Sequence, residues 1–289
     1  MGMPSPAEPA APALVSVHGG HSGEFCSHAR DRLEDVIAAY AQRGFAWVAI
    51  TEHMPAWRDA LVPAEERAAG LDAEAMAERF RRYFARAREL EVAWSDRLRV
   101  LVGFESEAAA GALEAAEAWT RELRPDCVVG SVHSVHDIPI DVSPALFERA
   151  VVRAGGLEAL YCAYFDLQYE MIERLRPAVV GHFDLVRLLD SGHRDRLALP
   201  SVRRRIERNL DCIASQRAIL DVNLRAFAKG QSEPFPSRSV LALAHVRGVR
   251  VAPGDDSHGM DDVGRDYARG IRMLAELGFP TRWPVPGSD

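Results

Sequence analysis

Between Leu14 and Ala29 the chain reads LVSVHGGHSGEFCSHA, which sets His18, His21 and His28, with Glu24, in a glycine-bearing segment just past a short apolar run. Imidazoles free to converge at the end of a strand, with little backbone bulk around them, are what a metal site needs. The arrangement recurs. Further short apolar runs end at His53, Glu105, His133, His182, Asn223 and the Asp256/His258 pair, so six of the seven runs offer a nitrogen or carboxylate ligand. A single histidine after a strand is more often a loop or packing residue, and His193 and His245 are read that way. Unrelated packing histidines have no reason to mark the same end of strand after strand, so the series reads as one metal cluster.

Many imidazoles with few carboxylates suit zinc, iron or manganese and suit calcium or magnesium poorly. The ligands exceed what one ion can use, and two or three divalent transition-metal ions bridged by a carboxylate are the natural count. Ions so bridged can lower the pKa of a bound water and clamp both oxygens of a phosphoryl displacement.

The elements that must position these residues can be read from periodicity. Helical spacing is expected over 31–44, with Asp31 and Glu34 as a capping pair and Gly44 as the stop, and again within 72–94, where Met76, Phe80, Tyr83, Ala87 and Leu90 mark one face. Further helices are expected near 109–122, over 144–175 with a break at Gly155 and Gly156, and over 201–216, 238–247 and 261–277. Between them lie the apolar runs AWVAIT (46–51), RVLVGF (99–104), CVVGS (127–131), AVVG (178–181), AILDV (218–222) and the stretch 249–252. Strands alternating with helices indicate an α/β protein with a parallel sheet. Closed into a barrel, such a sheet brings the C-terminal ends of its strands to one face.

The 289 residues, 48% hydrophobic, suffice for one α/β barrel. Residues 1–12 are expected to form a mobile tail, 13–279 the folded domain and 280–289 a C-terminal tail. No run approaches the roughly 20 apolar residues of a membrane span, and the opening MGMPSPAEPAAPA lacks the cationic start and apolar core of a signal peptide. A cytoplasmic protein is expected. The net charge of -7 and the absence of a basic run argue against a nucleic-acid partner. Cys26, Cys127, Cys162 and Cys212 show no paired spacing and read as buried or idle thiols, with Cys26 set apart because it lies among the histidines.

In this order, HGGHSGEFCSHA (18–29), ITEHMP (50–55), LVGFESE (101–107), VVGSVHSVHDIPID (128–141), VVGHFDLVR (179–187) and GDDSH (254–258) resemble the PHP (polymerase and histidinol phosphatase) family, in its monofunctional histidinol-phosphatase branch. The resemblance implies a distorted (β/α)7 barrel. It also implies that His18, His21, Glu105 and Asp256 hold one ion, that His28, His53 and His258 hold a second, and that His133 and His182, with Glu105 bridging, hold a third. The implied reaction is hydrolysis of L-histidinol phosphate to L-histidinol and phosphate, in histidine biosynthesis, by in-line attack of a metal-bound hydroxide; the general acid stays open between Asp256, His258 and none at all, since a metal-bound leaving oxygen can do without one. The alternative is a PHP phosphoesterase acting on another small phosphate ester; a metal-binding protein without catalysis is a third reading.

One departure stands out. The family opens with His, any residue, His, whereas here two glycines separate His18 from His21. On a strand that ran straight on, the extra residue would turn the second imidazole away; if the glycines let the backbone loop outward, both can bind. In GDDSH, Asp256 rather than Asp255 matches the Asp, any residue, His spacing. A phosphate also calls for cations beyond metals, and arginine fits its oxygens best. Arg187, Arg225 and the single lysine, Lys229, are the candidates, and His136 is placed to meet the imidazole or amine of the substrate. Glu52, before His53, is read either as a partner that orients an imidazole or as part of the barrel wall.

Overall fold

Parallel pairing follows from the alternation of short apolar strands with helices. The computed structural model describes residues 12–287, so residues 1–11 of the expected N-terminal tail lie outside the described residues. The strands are β1 (Leu14–Gly19), β2 (Phe45–His53), β3 (Arg99–Glu105), β4 (Cys127–Gly130), β5 and β6 (Ser134–Val135 and Ile138–Pro139), β7 (Val179–Val180), β8 (Ile219–Asn223) and β9 (Arg250–Gly254). Seven of them pair in the order β1-β2-β3-β4-β7-β8-β9, every ladder parallel. At the remaining seam β9 returns beside β1, where Asp256 N donates to the His18 carbonyl at 2.8 Å and Ser16 Oγ donates to Asp255 Oδ1 at 2.7 Å. The sheet is therefore a nearly closed seven-stranded barrel, in agreement with the expected (β/α)7 fold.

Crossover helices cover the barrel: α1 (Leu33–Gln42), α2 (Ala64–Ala68), α3 (Ala73–Trp94), α4 (Ala112–Leu123), α5 (Pro144–Ala154), α6 (Leu157–Leu175), α7 (His193–Ala198), α8 (Pro200–Gln216), α9 (Arg225–Ala228), α10 (Arg238–Val246) and α11 (Tyr267–Glu276). Helix α3 starts where Asp72 Oδ1 accepts the Ala75 N–H at 2.8 Å, and its stripe of Met76, Phe80, Tyr83, Phe84, Ala87 and Leu90 is buried. Gly155, left-handed at φ +90°, stops α5 before α6 starts. Ala56, Val62 and Met76 form a small apolar cluster apart from the main core, under the loop after β2. Among the described residues no helix is long and apolar enough to cross a membrane.

Two local expectations differ from the structure. Asp31 does not cap α1: it is left-handed at φ +63° and its Oδ2 accepts the Met260 N–H, while Glu24 Oε2, nine residues away in sequence, accepts the Leu33 N–H at 2.7 Å. The last helix does not begin at 261, because Gly264 N donates to the buried Asp255 at 2.7 Å and Asp266 is left-handed at φ +56°, which delays α11 to Tyr267. Beyond residue 280, Trp283 is buried and its Nε1 donates to the Ala13 carbonyl at 2.9 Å, so the C-terminal segment is fastened beside β1.

Candidate metal centre

The HGGH segment is resolved by its glycines. Gly20 has φ +71°, and a Cβ there would meet Ile50 Cγ2 at 2.7 Å. Gly20 N and His21 N donate to Ser257 Oγ and to the Ser257 carbonyl, at 3.1 and 2.9 Å. The chain thus crosses the end of β1 and returns His21 to the bowl, its ring centroid 5.9 Å from that of His18. Ligand atoms of His18, His21 and Asp256 lie within 4.8 Å of one another.

Glu105, at the end of β3 and 2% exposed, is the centre of the cluster. Its Oε1 lies 2.8 Å from His182 Nε2 and 3.3 Å from His133 Nε2; its Oε2 lies 2.8 Å from His53 Nδ1 and 3.5 Å from His18 Nε2. Burial alone would raise its pKa, but His18, His133 and His53 outweigh burial and hold the carboxyl well below its usual range. On the other side of His53, its Nε2 is 3.2 Å from His28 Nε2, and the His21 ring sits 4.4 Å from that of His53 and 4.3 Å from that of His258.

All nine side chains expected as ligands therefore share one bowl. Ligand atoms group as His18/His21/Asp256, His18/Glu105/His182, His53/Glu105/His133 and His21/His53/His258, and a further group is Cys26/His28/His53. His133 and His182 both face Glu105 Oε1, with ring centroids 4.8 Å apart. The donor set suits divalent metal. His18 Nε2, both ring nitrogens of His21, His182 Nδ1 and Glu52 Oε2 are buried polar atoms without a hydrogen-bond partner, a costly state unless an ion takes up their lone pairs.

A PHP-domain family model matches residues 19–225, well over half of the chain. The chain belongs to the PHP family. A Schizosaccharomyces pombe protein named "probable histidinol-phosphatase" is 36% identical to this PHP chain over 269 residues, covering 92% of the chain and 87% of that protein. The Saccharomyces cerevisiae histidinol-phosphatase is 28% identical over 295 residues, covering 90% and 88%. Among solved PHP-like folds, the Listeria monocytogenes hisK structure superposes with a TM-score of 0.75 at 22% identity, covering 89% of this chain and 98% of that one. A histidinol phosphate phosphatase from Lactococcus lactis, complexed with zinc, L-histidinol and phosphate, gives 0.66 at 18% identity, covering 93% and 94%.

The PHP cluster is braced by residues that strand periodicity did not mark as functional. Asp221 Oδ2, inside β8, lies 3.1 Å from His18 Nδ1; Glu107 Oε2 lies 3.2 Å from His133 Nδ1; the Asp256 carbonyl lies 3.0 Å from His258 Nδ1. Each takes the outer nitrogen and leaves Nε2 for the bowl, the arrangement that orients histidine ligands. Glu52 Oε2 lies 3.5 Å from His21 Nδ1 without a hydrogen bond between them, while Glu52 Oε1 accepts from Ser22 N and Oγ at 2.7 and 3.0 Å. The signal for Asp221 was a carboxylate within an otherwise apolar run. Asp221→Asn is expected to weaken zinc affinity about 10- to 100-fold, read by competition with a chromogenic chelator.

Asp255, the neighbour passed over in favour of Asp256, lies outside the bowl in a closed network with Ser16, Tyr40 and Gly264. Of the residues expected to meet substrate, Arg225 is at the bowl: its Nη1 donates to the Asp256 carbonyl at 3.1 Å and lies 3.6 Å from Asp262 Oδ2. Arg187 is placed otherwise. It is 1% exposed, pairs with Asp184 at 3.1 Å, donates to Gln231 Oε1 and to the Glu233 and Pro234 carbonyls, and stacks on Phe235. All of these partners are protein, and they tie the loop after β7 to the loop after β8. His136 is exposed at the tip of the β5–β6 hairpin, with φ +54°, and Lys229 reaches Asp141 at 3.4 Å. His193 Nδ1 is within 3.0 Å of the Asp190 carbonyl and His245 packs on Phe279, so both are structural.

Charge in the metal-free cluster is divided. Burial lowers the pKa of His21, but Asp256 and Glu52 outweigh it and push it up to about 9; His28 is lowered to about 3 by burial and by His53 and His21, and His258 is also lowered. A raised histidine binds more protons folded than unfolded between about 6.5 and 9, so its stabilisation is complete below 6.5 and lost as pH rises through 9. A lowered histidine does the opposite below 6.5. Chelator-treated protein is therefore expected to be most stable near neutral pH and to lose about 5–10 °C in Tm by pH 9. Metal-loaded protein, whose imidazoles carry no such protons, is expected to hold its Tm over that window in calorimetry.

Proposed function

We propose that this PHP protein hydrolyses the phosphomonoester L-histidinol phosphate to L-histidinol and phosphate. The observation that carries the reading is the convergence of seven histidines with Glu105 and Asp256 on one bowl, in a chain 36% identical to a protein named "probable histidinol-phosphatase". Two or three divalent ions, of zinc, manganese or iron, would be held by these residues, and when bound they supply Lewis-acid stabilisation of the phosphoryl oxygens and acidify water.

The chain's own groups supply the rest. Arg225, within hydrogen-bond reach of the Asp256 carbonyl, presents its guanidinium to the phosphoryl oxygens at the bowl. Arg187 acts indirectly, tying the loops after β7 and β8 together behind the wall through Asp184, Gln231 and the Pro234 carbonyl. Burial raises the Asp256 pKa, but His18, His21 and His258 outweigh it and keep the carboxylate ionised, so Oδ1 accepts the proton of the attacking water. His258, its Nδ1 held by the Asp256 carbonyl, directs Nε2 into the bowl beside that carboxylate, and the proton taken up by Asp256 is the one returned to the leaving oxygen. His136, at the tip of the β5–β6 hairpin, meets the imidazole or amine of substrate. The substrate is small, nucleic acid is not a partner, and the protein acts in the cytoplasm.

The test is phosphate release from L-histidinol phosphate by protein purified without chelator, with metal content measured on the same sample and a panel of other small phosphate esters alongside. Turnover of histidinol phosphate well above the panel supports the reading. Faster turnover of another ester replaces the substrate, and full metal content without turnover of any ester removes the catalytic reading.

A further inference from the structure

We propose that the sulfur of Cys26 is a ligand to the ion held by His28 and His53, which makes that site a mixed sulfur and nitrogen site. The inference rests on the metal-binding reading of the bowl but not on the identity of the substrate. Cys26 is 5% exposed, and its backbone is fixed in a tight turn by the bonds Cys26 N to the Ser22 carbonyl, 2.9 Å, and Ala29 N to the Cys26 carbonyl, 3.2 Å. Its Sγ lies 3.2 Å from His28 Nδ1 and 3.4 Å from His28 Nε2, and that Nε2 lies 3.2 Å from His53 Nε2. One sulfur and two nitrogens are therefore within 4.8 Å of one another.

These separations match a shared ion. With bonds of about 2.3 Å to sulfur and 2.0–2.1 Å to nitrogen, a tetrahedral ion sets its ligands about 3.3 Å apart for two nitrogens and about 3.6 Å apart for nitrogen and sulfur. Two further observations aim the atoms at that point. His53 Nδ1 is committed to Glu105 Oε2 at 2.8 Å, which leaves Nε2 as the free nitrogen on the side of Cys26. Ser27, between the two candidate ligands, is fastened from α2 by Glu66, which accepts from Ser27 Oγ at 2.7 Å and from Ser27 N at 3.2 Å and is itself paired with Arg79. Among the described residues no other thiol lies at hydrogen-bond distance from an imidazole. On binding, the thiol proton passes to solvent and the sulfur lone pair bonds the ion, with no change of oxidation state. A sulfur ligand biases the site toward zinc, cobalt and ferrous iron over manganese.

The full chain, stripped and reloaded with cobalt(II), is the test. The proposal expects a near-ultraviolet thiolate-to-cobalt charge-transfer band beside the visible d–d bands. That band is lost in Cys26→Ser and Cys26→Ala and kept in Cys127→Ser, and the Cys26 variants bind their last cobalt equivalent about 10- to 100-fold more weakly. X-ray absorption of the zinc-loaded wild type adds a check independent of any variant's folding, expecting one sulfur at about 2.3 Å from one zinc. Cobalt d–d bands without a thiolate band, a band that survives Cys26→Ala, or zinc with nitrogen and oxygen neighbours only would each overturn it. Because none of these signals depends on turnover, a thiolate band in protein inactive on histidinol phosphate would overturn the substrate and leave the sulfur ligand standing.

Discussion

Glu105→Gln is expected to lower kcat/KM for the phosphate ester by about 10³- to 10⁴-fold, because in the proposed reaction Glu105 would bridge the ions and its loss would remove several kcal/mol of Lewis-acid stabilisation. Glu105 faces His18, His53, His133 and His182 at 2.8–3.5 Å, and no other carboxylate among the described residues touches more than two of the bowl's histidines. The amide keeps the shape but gives up the negative charge, so the imidazoles lose the anion that offsets the ions' charge. Metal analysis should therefore show at least one ion fewer per chain than in wild type, at equal protein concentration. A variant with full metal content and near-normal turnover would show that the histidines hold the cluster without the bridge.

Arg225→Ala is the second large effect, expected to cost about 10²- to 10³-fold in kcat/KM, the usual loss for one charged donor aimed at a developing anion. Metal content should be unchanged, since the guanidinium touches the backbone carbonyl of Asp256 rather than a ligand atom. Arg225→Lys should recover only part of the loss, because an ammonium cannot bond two phosphate oxygens with a planar fork. Inorganic phosphate inhibition gives an independent reading, with a weaker inhibition constant expected for the alanine variant. Unchanged kcat/KM and phosphate affinity would assign Arg225 to holding the loop around Asp262.

The sequence carried the bowl because a parallel barrel makes one thing easy to read: each short apolar run must end on the same face, so His53, Glu105, His133 and His182 declare themselves by position alone. What it could not carry depends on rotamers and register. Which oxygen of Glu105 each ring meets, Oε1 for His133 and His182 and Oε2 for His18 and His53, is set by side-chain rotamers. Asp221 reads as an interior strand residue until β8 is registered against β7 and its side chain is seen to reach His18 Nδ1. Arg187 illustrates another limit, since an arginine five residues past a ligand looks poised for an anion, yet Asp184 and the loop after β8 absorb its donors. The caps failed for a related reason: Leu33 N finds Glu24 and Asp31 turns to Met260, partners supplied by the metal loop and by the far end of the chain rather than by the local S/T/D-x-x-E pattern.

The seam between β1 and β9 has a consequence for how the protein is made. Asp256 N bonds the carbonyl of His18 at the bowl, and Trp283 reaches back to Ala13 at the other end of β1, so the first and last parts of the barrel meet along this seam. A ribosome delivers β1 to β8 long before β9, and through that interval β1 keeps an unpaired edge while His18 and His21 wait for Asp256 and His258. The contacts that close the bowl span nearly the whole chain, which makes them late and slow to form. The full set of candidate ligands thus exists only once GDDSH has been made, and a chain stalled short of it presents a sticky sheet edge beside a half-built bowl.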